Sequence, residues 1–96
     1  MTEKQFEDKV VKPFLKKLPK CWFFKVHGGS VFQIVGVPDI VGVINGKFIG
    51  LELKTNIGKP SDLQLVRIRD INKAGGYAKI VRPNNWEEIK EELMKL

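Results

Sequence analysis

This sequence has few of the residues that build disulfides, zinc sites and membrane spans. Its 96 residues include one cysteine, Cys21, and one histidine, His27. A single cysteine excludes an internal disulfide, and no Cys/His cluster has the spacing of a zinc site. No apolar run is long enough to cross a bilayer, and the polar residues that follow Met1 are unlike a signal peptide. We therefore expect a cytoplasmic protein with no membrane association.

Acidic residues are scarce over most of the chain. Residues 1–83 carry 15 basic and 7 acidic side chains, a net charge of +8, whereas residues 84–96 carry 2 basic and 4 acidic ones. A basic surface attracts polyanions such as nucleic acids through long-range electrostatics. Many basic proteins bind no nucleic acid, so the charge is compatible with that partner but does not identify it.

Internal repeats, linkers and low-complexity segments are also absent. Hydrophobic residues make up 43% and charged residues 29% of the chain, which is typical of a globular protein. This length suffices for one compact unit with a modest core. Residues 1–96 are therefore predicted to form a single domain.

Seven segments carry the local signals of secondary structure. Thr2, Ser61 and Asn85 are the predicted helix caps, and Pro13 is expected to kink the first helix or end it early. The order α-β-β-β-α-β-α predicts an α/β fold, with an antiparallel meander and a fourth strand that pairs in parallel after a helical crossover. The predicted helices are 2–18, 61–74 and 86–96, and the predicted strands are 21–26, 39–44, 47–54 and 77–81.

The turn Asn45-Gly46 is the strongest hairpin signal in the chain, and it sets the register of the strands on either side. With a two-residue turn and no bulge, Asp39 lies directly across from Glu52, with Cβ atoms roughly 4.5–5.5 Å apart. Lys54 is two residues beyond Glu52, so its side chain points to the same face. The hairpin therefore predicts two carboxylates and one ammonium group at one end of the sheet.

Two carboxylates that face each other repel, and this arrangement destabilises a sheet unless a positive charge lies between them. Mg²⁺ binds one or two carboxylates together with water and substrate phosphates, so a divalent cation would remove the penalty. Lys54 would then stabilise charge on a phosphate or orient a water molecule. The alternative is an exposed strand end at which Lys54 neutralises both acids without any metal.

Pro38-Asp39 followed by Glu52-Leu53-Lys54 resembles the signature of the PD-(D/E)XK nucleases. Over about residues 3–82 the chain is similar to the small, stand-alone VRR-NUC domains that are often found in phages. This further similarity lies in Gly36-Val37-Pro38-Asp39, Leu51-Glu52-Leu53-Lys54, the Lys59-Pro60 loop and Gln64.

The resemblance implies a restriction-endonuclease-like core and Mg²⁺- or Mn²⁺-dependent hydrolysis of DNA phosphodiesters. Asp39, Glu52 and the carbonyl of Leu53 would hold the metal, and Lys54 would position or activate the attacking water. Minimal members of the family resemble Holliday-junction resolvases and tend to be homodimers. A homodimer that selects branched or junction DNA is therefore expected, with possible roles in recombination and repair.

A glutamate on the first helix belongs to the same expected site. Glu7 interrupts the apolar stripe of that helix, and the family places an acid there, so Glu7 is expected among the catalytic and metal-binding residues. The alternative is a partly exposed flank position that pairs with Lys4 or Lys12. Glu3 is the competing acid, although its place in the first helical turn also suits the helix dipole.

Several other side chains are expected near the substrate. Gln64 completes an S-x-x-Q capping box with Ser61, and the family places this glutamine near the scissile phosphate, so both roles are expected. The aromatic residues Trp22, Phe23, Phe24 and Trp86 are interpreted as core or dimer interface rather than as base-stacking platforms, because the sequence shows no interleaving of basic and aromatic residues. The expected contacts to nucleic-acid phosphates are Lys25, Ser30, Lys59 and Arg67.

Two other classes of function fit the same sequence. One is a basic nucleic-acid-binding module that keeps the fold but lacks catalysis. The other is a small interaction protein whose acidic last helix contacts a protein partner. Its acidic residues are Glu87, Glu88, Glu91 and Glu92.

Overall fold

The computed structural model describes residues 1–27 and 35–96, and these form an α/β fold with a four-stranded sheet and three helices. The first helix, α1, comprises three consecutive segments: Glu3–Phe6, Glu7–Val11 and Lys12–Lys17. The remaining elements are β1 (Cys21–Lys25), β2 (Ile40–Ile44), β3 (Lys47–Leu53), α2 (Asp62–Lys73), β4 (Tyr77–Val81) and α3 (Trp86–Met94).

The sheet is mixed, and its strands lie in the order β1-β2-β3-β4. The first three strands form an antiparallel meander, and β4 pairs with β3 in parallel. Ile44 faces Lys47 and Ile40 faces Leu51, so the hairpin has the register that its two-residue turn predicts. The predicted element order and strand directions are confirmed.

The first helix does not end at Pro13. Its middle segment is a π-helix, in which the N–H of Lys12 donates to the carbonyl of Glu7, five residues earlier. Proline lacks an N–H and its ring clashes with the carbonyl four residues before it in a regular α-helix. The wider π turn just ahead of Pro13 accommodates this residue, and the helix continues to Lys17.

The second helix begins as predicted, since Ser61 and Gln64 form a complete capping box. Asn85 is the N-cap residue of the last helix, as predicted, but its side chain makes no capping hydrogen bond. Its side chain instead accepts the N–H of Arg82 at 2.8 Å and donates to the carbonyl of Ile80 at 3.0 Å. The chain enters α3 through a 3-10 turn, Pro83–Asn85, that this side chain braces.

One face of the sheet carries the hydrophobic core. Helices α1 and α3 supply Phe6, Leu15 and Trp86, which pack with strand residues such as Leu51 and Leu53. Phe6 meets Trp86 edge to face, with ring centroids 6.0 Å apart. Leu51 and Leu53 point into this core, so Glu52 between them points to the opposite face.

Helix α2 lies over that opposite face, beside β3 and β4. A Cβ atom at Gly50 would lie 3.0 Å from Pro38 and 3.3 Å from Ile71 of α2, so the absence of a side chain lets both approach β3. In residues 1–27 and 35–96, no helix has the length and apolar character needed to cross a membrane.

Candidate active site

The hairpin brings Asp39 and Glu52 together at the end of the sheet. Asp39 immediately precedes Ile40, which pairs with Leu51, so the register continues to Asp39 opposite Glu52. The N–H of Leu53 donates to Asp39 Oδ2 at 2.9 Å, and this bond fixes the aspartate against β3. After burial, the charge of the nearby Asp39 is the main cause of the raised pKa of Glu52.

Glu52 is a buried acid with one unsatisfied oxygen. Its side chain is 2% exposed, and among the described residues its Oε1 has no hydrogen-bond partner. Burial, followed by the charge of Asp39, raises the pKa of Glu52 to about 7, although Lys54 acts in the opposite direction. A buried oxygen without a partner, beside a second carboxylate, is destabilising until a proton or a cation joins the pair.

The donor set at this point fits a hard divalent cation. The N–H and C=O of a strand residue face the same neighbouring strand, so the Leu53 carbonyl is directed to the side of Asp39. Two carboxylates and one carbonyl are oxygen ligands that Mg²⁺ accepts, with water and phosphate completing its shell. No group of three Asp, Glu, His or Cys side chains within residues 1–27 and 35–96 has metal-binding geometry. The protein ligands of a metal at this point would therefore be Asp39, Glu52 and the Leu53 carbonyl.

Lys54 lies beside the acid pair. Its side chain is 18% exposed, and its Nζ is 3.6 Å from Glu52 Oε2. The main-chain N–H of Lys54 donates to the carbonyl of Val81 at 3.0 Å, which anchors this residue to β4. The ammonium group is thus partly buried next to the carboxylates, where its charge is less screened than on an open surface.

Gln64 joins the start of α2 to the same acid. Its Oε1 accepts the N–H of Ser61 at 2.8 Å as part of the capping box. Its Nε2 donates to Glu52 Oε2 at 2.9 Å. The side chain therefore caps a helix and also holds Glu52. Gln64 and Lys54 both contact Oε2, and in the described part of the chain Oε1 has no donor.

Glu7 is buried in the π turn of α1 and is held by lysines. Its side chain is 4% exposed, Lys12 Nζ lies 2.9 Å from Oε2, and Lys25 Nζ donates to Oε1. Burial raises the pKa of Glu7, but the hydrogen bonds and charges of Lys25 and Lys12 outweigh it, and the pKa falls below its usual value. The pairing with Lys12 was one of the sequence alternatives, whereas a metal-binding role for Glu7 stays a prediction.

A further acid on α1, Glu3, is exposed, and its charge adds a minor contribution to the raised pKa of Glu52, after burial and the charge of Asp39. Glu7 is paired with Lys12 and Lys25. A role for either Glu3 or Glu7 in binding a metal stays a prediction. The sequence analysis favoured Glu7 because it interrupts the apolar stripe.

The expected phosphate contacts have different surroundings. Lys59 is exposed, whereas Lys25 is engaged by Glu7. Arg67 Nε donates to the carbonyl of Val35 at 3.1 Å, so this side chain is engaged by the main chain. Ser30 lies outside the described residues. Lys59 is therefore the expected contact whose side chain projects into solvent.

Arg82 is a further residue of the site that the sequence analysis missed. Its Nη1 donates to the carbonyls of Thr55 at 2.6 Å and Gly58 at 2.7 Å, and so it holds the loop between Lys54 and Lys59. Parallel strands place their carboxyl ends at the same edge of a sheet. The signal in the sequence was an arginine directly after the predicted fourth strand, because that strand was expected to pair in parallel.

Replacing Glu7 with glutamine is expected to lower stability by about 1–3 kcal/mol, because Lys12 and Lys25 would lose their buried counter-charge. The melting temperature should fall by roughly 5–15 °C for a domain of this size. Since the pKa of Glu7 is lowered by folding, its contribution is present above about pH 4.5 and is lost as the pH falls through the folded-state pKa.

Thermal unfolding between pH 3 and pH 8 measures this effect, with and without Mn²⁺. Asp8→Asn is the matched control, since Asp8 is exposed and pairs with Lys4 and Lys12 on the same helix. A melting temperature equal to that of the wild type would contradict the structural role. Loss of the stabilisation by Mn²⁺ in Glu7→Gln alone would instead identify Glu7 as a metal ligand.

The acid pair, Lys54 and Gln64 are contributed by three parts of the chain, and their hydrogen bonds and ion pairs form one connected site. Arg82 supports the loop that follows it. No protein-family model matches the chain, and no curated protein matches it in sequence.

Proposed function

We propose that this protein is a Mg²⁺- or Mn²⁺-dependent DNA endonuclease with a PD-(D/E)XK site on a restriction-endonuclease-like core, acting in the cytoplasm. The observation that carries the proposal is Glu52, whose buried Oε1 has no hydrogen-bond partner within residues 1–27 and 35–96 and whose carboxyl group interacts with Asp39. A structural acid at this depth would be fully hydrogen-bonded. A carboxylate that binds a cation keeps an oxygen free for it.

In the proposed reaction, water attacks the phosphorus, the bond from phosphorus to the 3′ oxygen breaks, and the products carry a 5′ phosphate and a 3′ hydroxyl. When bound, the divalent cation supplies Lewis-acid polarisation of a phosphate oxygen. Asp39 and Glu52 would hold the cation through their negative charge, and the Leu53 carbonyl would add a neutral oxygen ligand. The Lys54 ammonium donates to the attacking water or to a phosphate oxygen, and so stabilises charge that develops in the transition state.

Gln64 and Arg82 have supporting roles in this proposal. Gln64 keeps the Glu52 carboxylate in place through the bond from its Nε2 to Oε2. Arg82 holds the loop that carries Lys59, which is proposed to contact a DNA phosphate. These bonds hold the acid and the loop in place before the substrate binds.

The proposed substrate is branched or junction DNA, cut by a homodimer. A chain of 96 residues with this core has little surface for reading base sequence, so recognition through phosphates and DNA shape is expected. Two copies related by a two-fold axis would present two sites to two strands. Sedimentation of a monomer alone, both with and without DNA, would contradict the dimer.

The test is a cleavage assay on supercoiled, linear and four-way-junction DNA, with Mg²⁺, Mn²⁺ or a chelator. We expect cleavage that requires the metal, with the junction cut faster than the linear duplex. Cleavage in the presence of the chelator would indicate a contaminating nuclease. An absence of cleavage under every metal would reject the enzymatic proposal.

A second candidate is a nucleic-acid-binding module without catalysis. Two observations favour it: Lys54 forms an ion pair with Glu52, and the raised pKa of Glu52 lets this residue hold a proton near neutral pH. Both reduce the repulsion within the acid pair when no metal is bound. Such a module would bind DNA in a salt-sensitive manner and would still bind after Asp39→Asn. It would nick no substrate under any metal.

A further inference from the structure

Strand β1 exposes two large aromatic side chains on the sheet face opposite the core. Cys21 and Phe23 pack towards the core, and the alternation of the strand turns Trp22 and Phe24 to the other face. Trp22 is 64% exposed and Phe24 is 49% exposed. The interpretation as core is confirmed for Trp86, and Phe23 packs against the core. Trp22 and Phe24 are not core residues, and their place in a dimer interface stays a prediction.

The two rings form a small platform. Their centroids are 5.5 Å apart and the ring planes are inclined by 52°. A base sandwiched between two rings needs a gap of about twice the 3.4 Å stacking distance. The separation here is smaller, so a ligand would lie on the outward faces of the rings rather than between them.

This platform shares a face with the acid pair. Phe24 pairs with Val41 and Trp22 pairs with Val43 across β1 and β2. Val41 and Val43 alternate along β2, and Asp39 lies two residues before Val41, immediately ahead of the strand. Continued alternation puts all three on that face, in steps of about 6.7 Å. Phe24 is therefore about one such step along the strand from Asp39, and one strand spacing of about 4.8 Å to the side.

We propose that Trp22 and Phe24 stack unpaired bases of the DNA strand whose backbone lies at Asp39 and Glu52. This inference rests on the proposed function and narrows its substrate to DNA that offers unpaired bases beside the cut, as at a junction or flap. Aromatic rings stack on any base, because every base has a π face. The platform would thus select an open structure without selecting a sequence.

The position of the platform favours this occupant over a second copy of the chain. A second copy seated on Trp22 and Phe24 would also approach Asp39 and Glu52 on the same face, and would obstruct a phosphate there. A nucleotide strand satisfies both features, since its bases cover the apolar rings while its phosphates reach the metal site. The net charge of +8 over residues 1–83 favours the polyanion as well.

The test is DNA binding in a chelator, so that no cleavage is needed. Fluorescence anisotropy of a labelled oligothymidylate and of a labelled duplex is measured for the wild type, Trp22→Ala and Phe24→Ala. We expect each variant to bind the single strand at least about fivefold more weakly, with duplex binding changed less than twofold. Trp22→Phe should restore most of the affinity, because it restores a stacking ring.

Met94→Ala is the matched control, since Met94 is also exposed and apolar but lies on α3. A second measurement uses the intrinsic fluorescence of Trp22 in a Trp86→Phe background, which leaves Trp22 as the one tryptophan of the chain. Stacking should quench this emission with oligothymidylate. The anisotropy experiment stands by itself if Trp86→Phe does not fold.

Wild-type affinity of Trp22→Ala for the single strand would overturn the proposal. So would self-association that Trp22→Ala abolishes while single-strand binding is unchanged, because it would assign the platform to a second copy. If metal-dependent cleavage accompanied either result, the nuclease proposal would stand and only the stacking role of the platform would be rejected. Stacking without cleavage under any metal would support the platform and reject the nuclease proposal.

Discussion

Replacing Lys54 with alanine is expected to lower the rate constant of DNA cleavage by about a hundred- to ten-thousandfold. The ammonium lies beside Glu52 and is partly buried, so it acts on the reacting phosphate with little screening by water. Removal of one positioned donor or proton-transfer group from an active site commonly has an effect of this size. Single-turnover cleavage at saturating protein and metal measures the rate constant apart from binding.

DNA affinity should change much less in the same variant. One lysine contributes about one unit to the slope of log K against log salt, so the affinity should fall only a few-fold at moderate salt. Lys59→Ala is the matched control, because Lys59 is exposed in the next loop and should weaken binding without altering the single-turnover rate. Wild-type cleavage by Lys54→Ala would remove Lys54 from the mechanism.

Asp39→Asn should also abolish cleavage, for a different reason. The amide keeps the size of the side chain but lacks the charge that holds a divalent cation. DNA affinity should be retained or slightly increased, because a negative charge near the phosphate has been removed. Loss of binding together with cleavage would instead indicate that Asp39→Asn disrupts the fold at its bond with Leu53.

The hairpin was predictable because its information is local. The turn Asn45-Gly46 sets the register, and the register alone places Asp39 across from Glu52. The start of α2 was predictable for the same reason, since Ser61 and Gln64 satisfy each other within one turn. Where a contact lies within a few residues or across a two-residue turn, the sequence determines it.

Contacts between distant segments were not predictable in this way. Lys25 is 18 residues from Glu7, and nothing in either segment indicates that the lysine approaches the buried acid. The Arg82 side chain donates to the carbonyl of Thr55, 27 residues earlier in the chain. The Asn85 side chain accepts the N–H of Arg82 and makes no capping bond to the last helix. These bonds depend on how the ends of the strands and helices meet, which packing of the whole core decides.

The exposed aromatic pair shows a related limit. Alternation along β1 predicts that Trp22 and Phe24 share a face, but not whether another element covers it. Helix α2 lies over β3 and β4, and the two rings at the β1 edge stay exposed. Whether a side chain is core or surface therefore depended on where α2 lies across the sheet.

Glu52→Gln is expected to stabilise the metal-free protein at pH 8. Folding raises the pKa of Glu52 from 4.5 to about 7, so the folded state binds this proton more tightly than the unfolded state. The stability of the wild type in chelator should therefore fall as the pH rises from about 4.5 to 7, and then level off. The difference is at most about 3 kcal/mol, since each pKa unit corresponds to about 1.4 kcal/mol.

Glutamine removes the cost of ionising a buried side chain at this position, because it is neutral at every pH and its amide can donate to Asp39. In chelator at pH 8, Glu52→Gln should melt higher than the wild type, by about 10 °C if most of the difference is realised. Between pH 4.5 and 7 its melting temperature should change less than that of the wild type. Glu88→Gln, an exposed acid on α3, is the control and should leave the curve unchanged.

Divalent metal should reduce the difference in stability between the two proteins. Mn²⁺ at ten times its dissociation constant stabilises a folded protein by about 1.4 kcal/mol, and this gain should appear for the wild type at pH 8. It should be absent in Glu52→Gln, which lacks the second carboxylate. Thermal unfolding with and without Mn²⁺ measures both effects. Equal metal stabilisation of the two proteins would show that the cation binds elsewhere, because the acid pair would then contribute nothing to its binding.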